Sequence, residues 1–583
     1  MGKLEGLENK SDKKILADAI EAIVNGDREI FPLEIKPNLE KYANEFADRI
    51  INGKQFDINP LDKSQLTDLT SASFDYETVD INSLQHEEAR ELGAEWLSKQ
   101  TMDKLEFSEF LIQKADFTPA SANLAVMHII SRAVYPSSEH KTAQWVKESS
   151  SIASLCDVPI SLVNSYKLYK ISRELYKKKN IIEQFLSVKT NELFDLEDKI
   201  IFYDLTNTYF EGRKEGSQLA KFGRSKEKRS DAKIIAVAAV INAEGFLKYS
   251  RIYQGNIGDS KTLNQTIDEL SERTSNTKRK PVVVMDAGIM SEDNAEMLKE
   301  KGYDYIAVSR TKLKEYNSVK TDNENITVFD KRENPIELKL VKKPTCEDTY
   351  LYVRSEQKAK KEASMNNRFS QHYEAYLENI KSALNKKGGT KKLEKVWERI
   401  GRLKEKYPRT NKHYKIEVIA DKQQNKAVDI KWTINKLKPK SSEGVYFIRT
   451  SLDKQKEKTL WTIYNTLTEI EATFRVLKTD LSLRPVYHQT DQNVEAHLFL
   501  GLFAYQMVAS IRYQLKNENI KYDWRNIVRK MNTQKEITSI IKNKSGKTIR
   551  IKKCSQAKSD VKEIYNALKL KHQPYYIKKS VVP

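Results

Sequence analysis

The sequence predicts an α/β protein, a mixed sheet flanked by helices, with a helical region in front and an α+β insertion within. Strand-like apolar runs ("DKIIFYD", "KIIAVAAVIN", "KPVVVMDAG") begin only near residue 198. They come first as a meander and then alternate with helical stretches, the rhythm of a mixed sheet covered by helices. The rhythm is then broken for over a hundred residues by two helical stripes and two alternating strands. The implied segments are 1–195 (mostly helical), 196–310 (sheet, first part), 311–440 (insertion), 441–515 (sheet, second part) and 516–583 (a basic C-terminal region).

In the first segment "SSIASLCDVPISLVNSYKLYKISRELYKKKN" reads as a short apolar helix, a break at Cys156-Asp157-Val158-Pro159, and a basic helix. That pattern fits a helix-turn-helix whose second helix enters a major groove, and equally fits plain helical packing. From 199, "IIFYD" is apolar on both faces, as in a buried central strand, and runs into an acid, Asp204. The basic loop "KFGRSKEKRSD" follows. A hairpin then turns through Ala243, Glu244 and Gly245. A helix at 260–273 leads to "KPVVVMDAG", a second buried strand ending in an acid, Asp286. A helix at 292–301 and the strand "YDYIAVSR" close this part.

In the insertion Met365, Phe369, Tyr373, Tyr376, Leu377, Ile380 and Leu384 keep helical spacing up to Gly388-Gly389. Leu393, Val396, Ile400, Leu403 and Tyr407 form a matching stripe. With the strands "HYKIEVIAD" and "AVDIKWTIN" they predict a helical hairpin plus a β-hairpin, a separate unit covering the site and positioning its ligand. "GVYFIRT" returns to the sheet, and one long helix is expected over 459–479.

Lys and Arg number 101 against 81 Asp and Glu, a net charge of +20. Such an excess points to a polyanion, nucleic acid before membrane. Cys156, Cys346 and Cys554 are far apart, with no Cys-x-x-Cys or Cys/His pair, so neither a disulfide framework nor a zinc knuckle is supported. The N-terminal residues have no apolar core segment, so a signal peptide is not expected. The longest apolar run, "AHLFLGLFAYQMVASI", is too short and mixed to span a bilayer. A reducing cytoplasm, and no membrane partner, are the expectation.

The last long helix places Tyr464, Leu467, Glu471, Arg475 and Lys478 on one stripe. Glu471 and Arg475 alone would read as an ordinary i,i+4 salt bridge. Taken together, acids at two strand ends and one on a helix read differently. Carboxylate oxygens are the ligands that Mg²⁺ or Mn²⁺ takes, and two such ions about 4 Å apart serve an in-line phosphoryl displacement. Asp204 would then stay ionised in a buried strand because metal offsets its desolvation.

"FYDLTNTYFEG", "VVVMDAG" and "YNTLTEIEATFRVLK" followed by "LRPVYH" resemble the DDE transposases of bacterial insertion sequences, in the branch with a Tyr-x2-Arg-x3-Glu-x6-Lys signature. The likeness covers roughly 199–510, with the three motifs in order. It implies an RNase H-like core, a catalytic and metal-binding triad of Asp204, Asp286 and Glu471, and two Mg²⁺ (or Mn²⁺) ions per active site. It also implies cleavage of element ends and strand transfer to target DNA, by a homodimer assembled on paired ends of double-stranded DNA in the bacterial cytoplasm, at the nucleoid. Tyr464 and Lys478 match the ends of the signature. Leu467 stands where the signature has Arg, and Arg475 is the nearest substitute.

Expected DNA contacts are Tyr464, Arg475, Lys478, Arg484 of "LRPVYH", and Lys226 and Arg229 of the basic loop. Asp231 and Asp259 read as turn or cap residues. His488 and His497 are candidates to assist at the scissile phosphate, with His497 also fitting a core position on an apolar helix. Trp432 and Trp461 read as packing. Two other functions share some of these features. A non-catalytic transposase-derived DNA-binding protein would lack an acid, and all three are present. A glycoside hydrolase uses paired carboxylates but needs no +20 charge.

Overall fold

The computed structural model describes residues 76–583 except 226–228, 274–279, 320–325, 331, 424, 436–442, 454, 576–577 and 583. Side chains at 271–273 and 468–470 are also outside the description. Before residue 76 it describes only 15–17, 19–20, 39, 42–43 and 46–47. The chain divides into two units, 1–79 and 80–583. In the first, Leu16, Ala19, Leu39 and Ala43 are buried together on helical segments.

The second unit holds a ten-stranded mixed sheet. Its first part is a meander of β2 (Ile200–Tyr209), β3 (Ile234–Asn242) and β4 (Leu247–Gln254). Gly245, at φ 91°, makes the tight β3–β4 turn, a conformation that costs glycine little. Helix α8 (Leu263–Arg273) crosses to β5 (Val282–Met285), and α9 (Glu292–Glu300) crosses to β6 (Tyr305–Val308). Both β5 and β6 lie parallel to β2, in the order β4-β3-β2-β5-β6. An antiparallel meander joined on its first strand to two parallel crossover strands is the RNase H-like arrangement.

The sheet does not stop there. β7 (Asn317–Ser318), β8 (Ile326–Phe329), β9 (Pro335–Lys342) and β10 (Thr349–Ser355) continue it, with β13 (Val445–Thr450) between β6 and β10. The predicted insertion at 311–440 therefore begins with sheet strands. Only α10 (Glu356–Leu384), α11 (Leu393–Lys406), the short α12 (Pro408–Asn411) and the hairpin β11–β12 (Tyr414–Ala420, Ala427–Ile434) have cores of their own. Both expected stripes meet there: Tyr373, Leu377 and Ile380 bury against the Val396–Leu403 face. Met365 and Phe369, by contrast, stay exposed on the first half of α10.

Ahead of the sheet stand α1 (Gly93–Lys104), α2 (Phe107–Lys114), α3 (Pro119–Val134), α4 (Glu139–Glu148), α5 (Ile152–Leu155), α6 (Ser165–Lys177) and α7 (Lys179–Phe194). They pack around α15 (Asp491–Asn517), a core helix buried along most of its length. That burial accounts for its apolar composition, although it is long enough to cross a membrane.

Directly before α1 runs a strand, β1 (Val79–Glu91), which pairs with β14 (Lys535–Asn543) of a second sheet that includes β15 (Thr548–Cys554) and β16 (Lys578–Val582). The backbone N–H of Gly93 donates to Gln534, and the Trp96 indole N–H donates to the Lys571 carbonyl. At Gly93 a Cβ would lie 2.0 Å from the Met531 carbonyl oxygen, so only glycine fits where α1 crosses α16 (Trp524–Met531). The two ends of this unit fold together rather than as separate segments.

Candidate active site

The register of the central strands brings two of the acids together. Tyr203 pairs with Met285 across parallel β2 and β5, so the next residues, Asp204 and Asp286, stand opposite each other. The two acids thus follow directly on paired residues of adjacent strands, which run about 4.8 Å apart. The predicted strand was expected to end at Asp204. Instead β2 continues to Tyr209 through buried Leu205, Thr206, Asn207 and Thr208, and it is β5 that stops, just before Asp286. Asp204 is thus held mid-strand and half-buried, while Asp286 is exposed in a turn.

Alternation decides which face they serve. Phe202 and Val284 belong to the core on the side of α14 (Leu467–Arg475) and α15, whereas Ile201, Tyr203, Val283 and Met285 face α8 and α9. Asp204 and Asp286 follow Phe202 and Val284 by two, so they share the α14 face. That helix packs on β2 and carries Glu471, which is exposed. Tyr464 joins the groups: burial raises its phenol to about 12, and the Asp286 and Glu471 charges add to the rise. Asp286 and Glu471 therefore flank one phenol, and Asp204 stands opposite Asp286.

The expected single helix is broken. α13 (Glu457–Asn465) ends at Thr466, α14 runs to Arg475, and Val476–Asp480 forms a π-helical turn closed by Leu481 N–H to the Val476 carbonyl, 2.9 Å. The wider turn rotates Lys478 away from a regular stripe. Lys478 is half-buried with its ammonium 5.9 Å from the Phe474 ring centre. Glu471 and Arg475 form no ion pair among the described residues, which removes the salt-bridge explanation for Glu471. Arg475 lies instead within electrostatic range of Asp480, a carboxyl that burial pushes up and Arg525, Arg512 and Arg475 pull down. Leu467 packs against the main core.

The remaining expected DNA contacts are scattered. Lys226 lies outside the described residues. Arg229 is held by both carboxylate oxygens of Asp231, at 2.8 Å each, and rests 4.9 Å from the Tyr209 ring centre. Arg484 is half-buried in the segment that docks on the end of β2, where Val486 N–H donates to the Tyr209 carbonyl, 2.9 Å. His488 and His497 are both buried against Glu139 and so are packed into the core. Trp461 packs with Tyr446 and Tyr464, and Trp432 packs in the insertion core.

Asp259 is the acid that sequence reading treated as a turn residue. A Cβ at Gly288 would lie 3.5 Å from its Oδ2 and 3.9 Å from the Asp286 Oδ2, so both carboxylates border one bare stretch of backbone. Arg310 fixes that stretch by donating to the carbonyls of Ala287 and Gly288 at 2.7 and 2.6 Å. Spacing in "GNIGDSKTL" carries no signal for this; only the β4–α8 crossover brings Asp259 to the end of β5.

Carboxylates are the ligands a hard divalent cation takes, and among the described residues these acids share one face and one turn without one oxygen of each coming within 4.8 Å of the others. Two solved structures are similar to the chain. One is the piggyBac transposase synaptic complex with hairpin DNA, at 10% identity and a TM-score of 0.33, covering 79% of this chain and 82% of that one. The other is the Mos1 strand transfer complex, at 12% identity and a TM-score of 0.14, covering 51% and 77%. Both likenesses are too slight to carry an argument. No curated protein matches the chain. The family model described as "Transposase DDE domain" matches residues 195–507, more than half of the sequence and all three acids. The chain belongs to the DDE transposase family, whose members use divalent metal.

Proposed function

We propose that this transposase binds the terminal inverted repeats of an insertion sequence, cuts the element's ends and joins them to target DNA. The observation that carries the reading is the β2–β5 register, which sets Asp204 beside Asp286 on the face where α14 presents Glu471. These three residues would hold two Mg²⁺ or Mn²⁺ ions, which when bound activate the attacking oxygen and stabilise the leaving oxygen.

The chain's own groups do the rest. Tyr464, with its phenol raised to about 12, keeps its proton at neutral pH and offers an O–H to a phosphate oxygen beside Asp286 and Glu471. Lys478 and Arg475 neutralise phosphates next to the acids, and Arg484, Arg229 and Lys226 extend that contact along the duplex. The net charge of +20 supports a polyanionic partner. The helical region, with α6 as the second helix of a helix-turn-helix, reads the repeat. The α10–β12 unit covers the site. Two copies act on paired ends, in the bacterial cytoplasm.

The test is to incubate purified protein with DNA carrying the element's ends and Mg²⁺, and to map the nicks. Cleavage at the element boundary is expected. Binding without cleavage under any divalent metal would overturn the catalytic part.

A further inference from the structure

A second set of metal-ligating groups lies in the core of the same unit. Glu139 is the first residue of α4, His488 sits in the loop after the π-helical turn, and His497 is on α15. One ligand atom from each lies within 4.8 Å of the others. His497 Nδ1 is 3.2 Å from Glu139 Oε1, and His488 Nε2 is 3.3 Å from Glu139 Oε2. Ligands about 2.05 Å from a tetrahedral zinc are spaced roughly 3.3–3.4 Å, and each imidazole nitrogen stands at about that distance from one of the two carboxylate oxygens. All three residues are at least nine-tenths buried.

Two further observations point to an occupant. Glu139 Oε2 is buried with no hydrogen-bond partner, and so are both ring nitrogens of His128 on α3, which lies in electrostatic range of Glu139 and His497. A carboxylate with two imidazoles is a donor set for zinc rather than magnesium. The nearby cation, Arg132, has both terminal nitrogens engaged with the carbonyls of Ser137 and Ser482.

We propose that Glu139, His488 and His497 bind one structural transition-metal ion of the zinc class. The ion ties α4 of the helical region to α15 and to the loop that follows the Glu471 helix. That loop also docks on β2, through the Thr208 hydroxyl donating to the Leu483 carbonyl, 3.0 Å. The site is separate from the three catalytic acids and does not depend on their role.

The test uses the full-length chain carrying Asp204→Asn, Asp286→Asn and Glu471→Gln, so that the acid cluster contributes no metal. Grown with zinc, this protein is expected to retain about one zinc per chain through gel filtration; grown with cobalt, to show the visible bands of a four- or five-coordinate Co²⁺ site. His488→Asn, placed in a loop, and Glu139→Gln should each lose the ion and the bands while circular dichroism still reports a folded chain. If those variants fail to fold, X-ray absorption at the zinc edge of the parent decides, with scattering from two imidazoles expected. A folded parent without stoichiometric zinc or cobalt, an ion that survives both substitutions, or an edge spectrum without imidazole would leave a hydrogen-bonded His–Glu–His cluster and overturn the proposal.

Discussion

Two groups of acids on one sheet are treated in opposite ways. At the start of β10, Asp348 is buried and surrounded by donors. Arg449 Nε, Lys299 Nζ and the Tyr305 hydroxyl approach it at 2.6, 2.5 and 2.6 Å, and Arg449 also binds Glu292 at 2.8 Å. At the end of β5, Asp286 and Glu471 have no cation within 4 Å among the described residues, although both border the half-buried Tyr464. An acid that serves the fold is supplied with its counter-charge by the chain. On the proposed function, the acids left without one, on a shared face in a protein of net charge +20, take a charge that comes from outside.

The largest expected effect follows from that contrast. Asp204→Asn, Asp286→Asn or Glu471→Gln should lower DNA nicking by about 1,000-fold or more, since the stabilisation lost is that of transition-state charge. Binding of end DNA should persist or tighten, as a negative charge near phosphate disappears. Labelled end DNA, read by nicking and by gel shift on the same samples, checks both. Near-normal nicking by the Glu471→Gln protein would place the third acid elsewhere.

Asp348→Asn should do the reverse, leaving the chemistry intact and costing about 3 kcal/mol of stability by stranding Arg449 and Lys299. Denaturant unfolding measures it. The pH dependence shares this origin. Burial alone would raise the Asp348 carboxyl, but its hydrogen bonds with Lys299, Tyr305 and Arg449 outweigh burial and hold it below its ordinary 3.8. Its contribution is therefore fully present above 3.8 and disappears as pH falls through the lower folded value. Wild type should lose stability in that acid window more steeply than Asp348→Asn, and parallel acid titrations would refute the assignment.

Smaller effects concern the cations. Lys478→Ala and Arg475→Ala should each flatten the log–log salt dependence of end binding by about one unit. Arg229→Ala should flatten it less, because Asp231 already engages one edge of that guanidinium through Nε and a terminal nitrogen. Equal slopes for Arg229→Ala and Lys478→Ala would mean that the Asp231 pair opens on DNA.

The candidate acids could be picked out because their signals are local. Apolar runs leading into Asp204 and Asp286 and a helix bearing Glu471 are each readable within about fifteen residues, though β2 runs on past Asp204 to Tyr209, and the meander-then-crossover order follows from the same patterns. What stayed hidden depends on distant pairing. β1 is a mostly exposed edge strand with no clear alternation, and its partner β14 is over four hundred residues away. The continuation of the sheet through β7–β10 looked like part of an insertion because short alternating strands do not announce which sheet they join. Asp259 and Glu139 carry no motif at all. The β4–α8 crossover brings one to Gly288, and the start of α4 meets one histidine of α15 and one of the loop before it.

The closure of β1 onto β14, with Gly93 seated on Met531 and Trp96 on Lys571, has a consequence for inheritance. A gene copy interrupted anywhere before codon 535 encodes a chain in which β1 has no partner strand and α1 loses its contact with Lys571, so a damaged copy is expected to yield no stably folded chain.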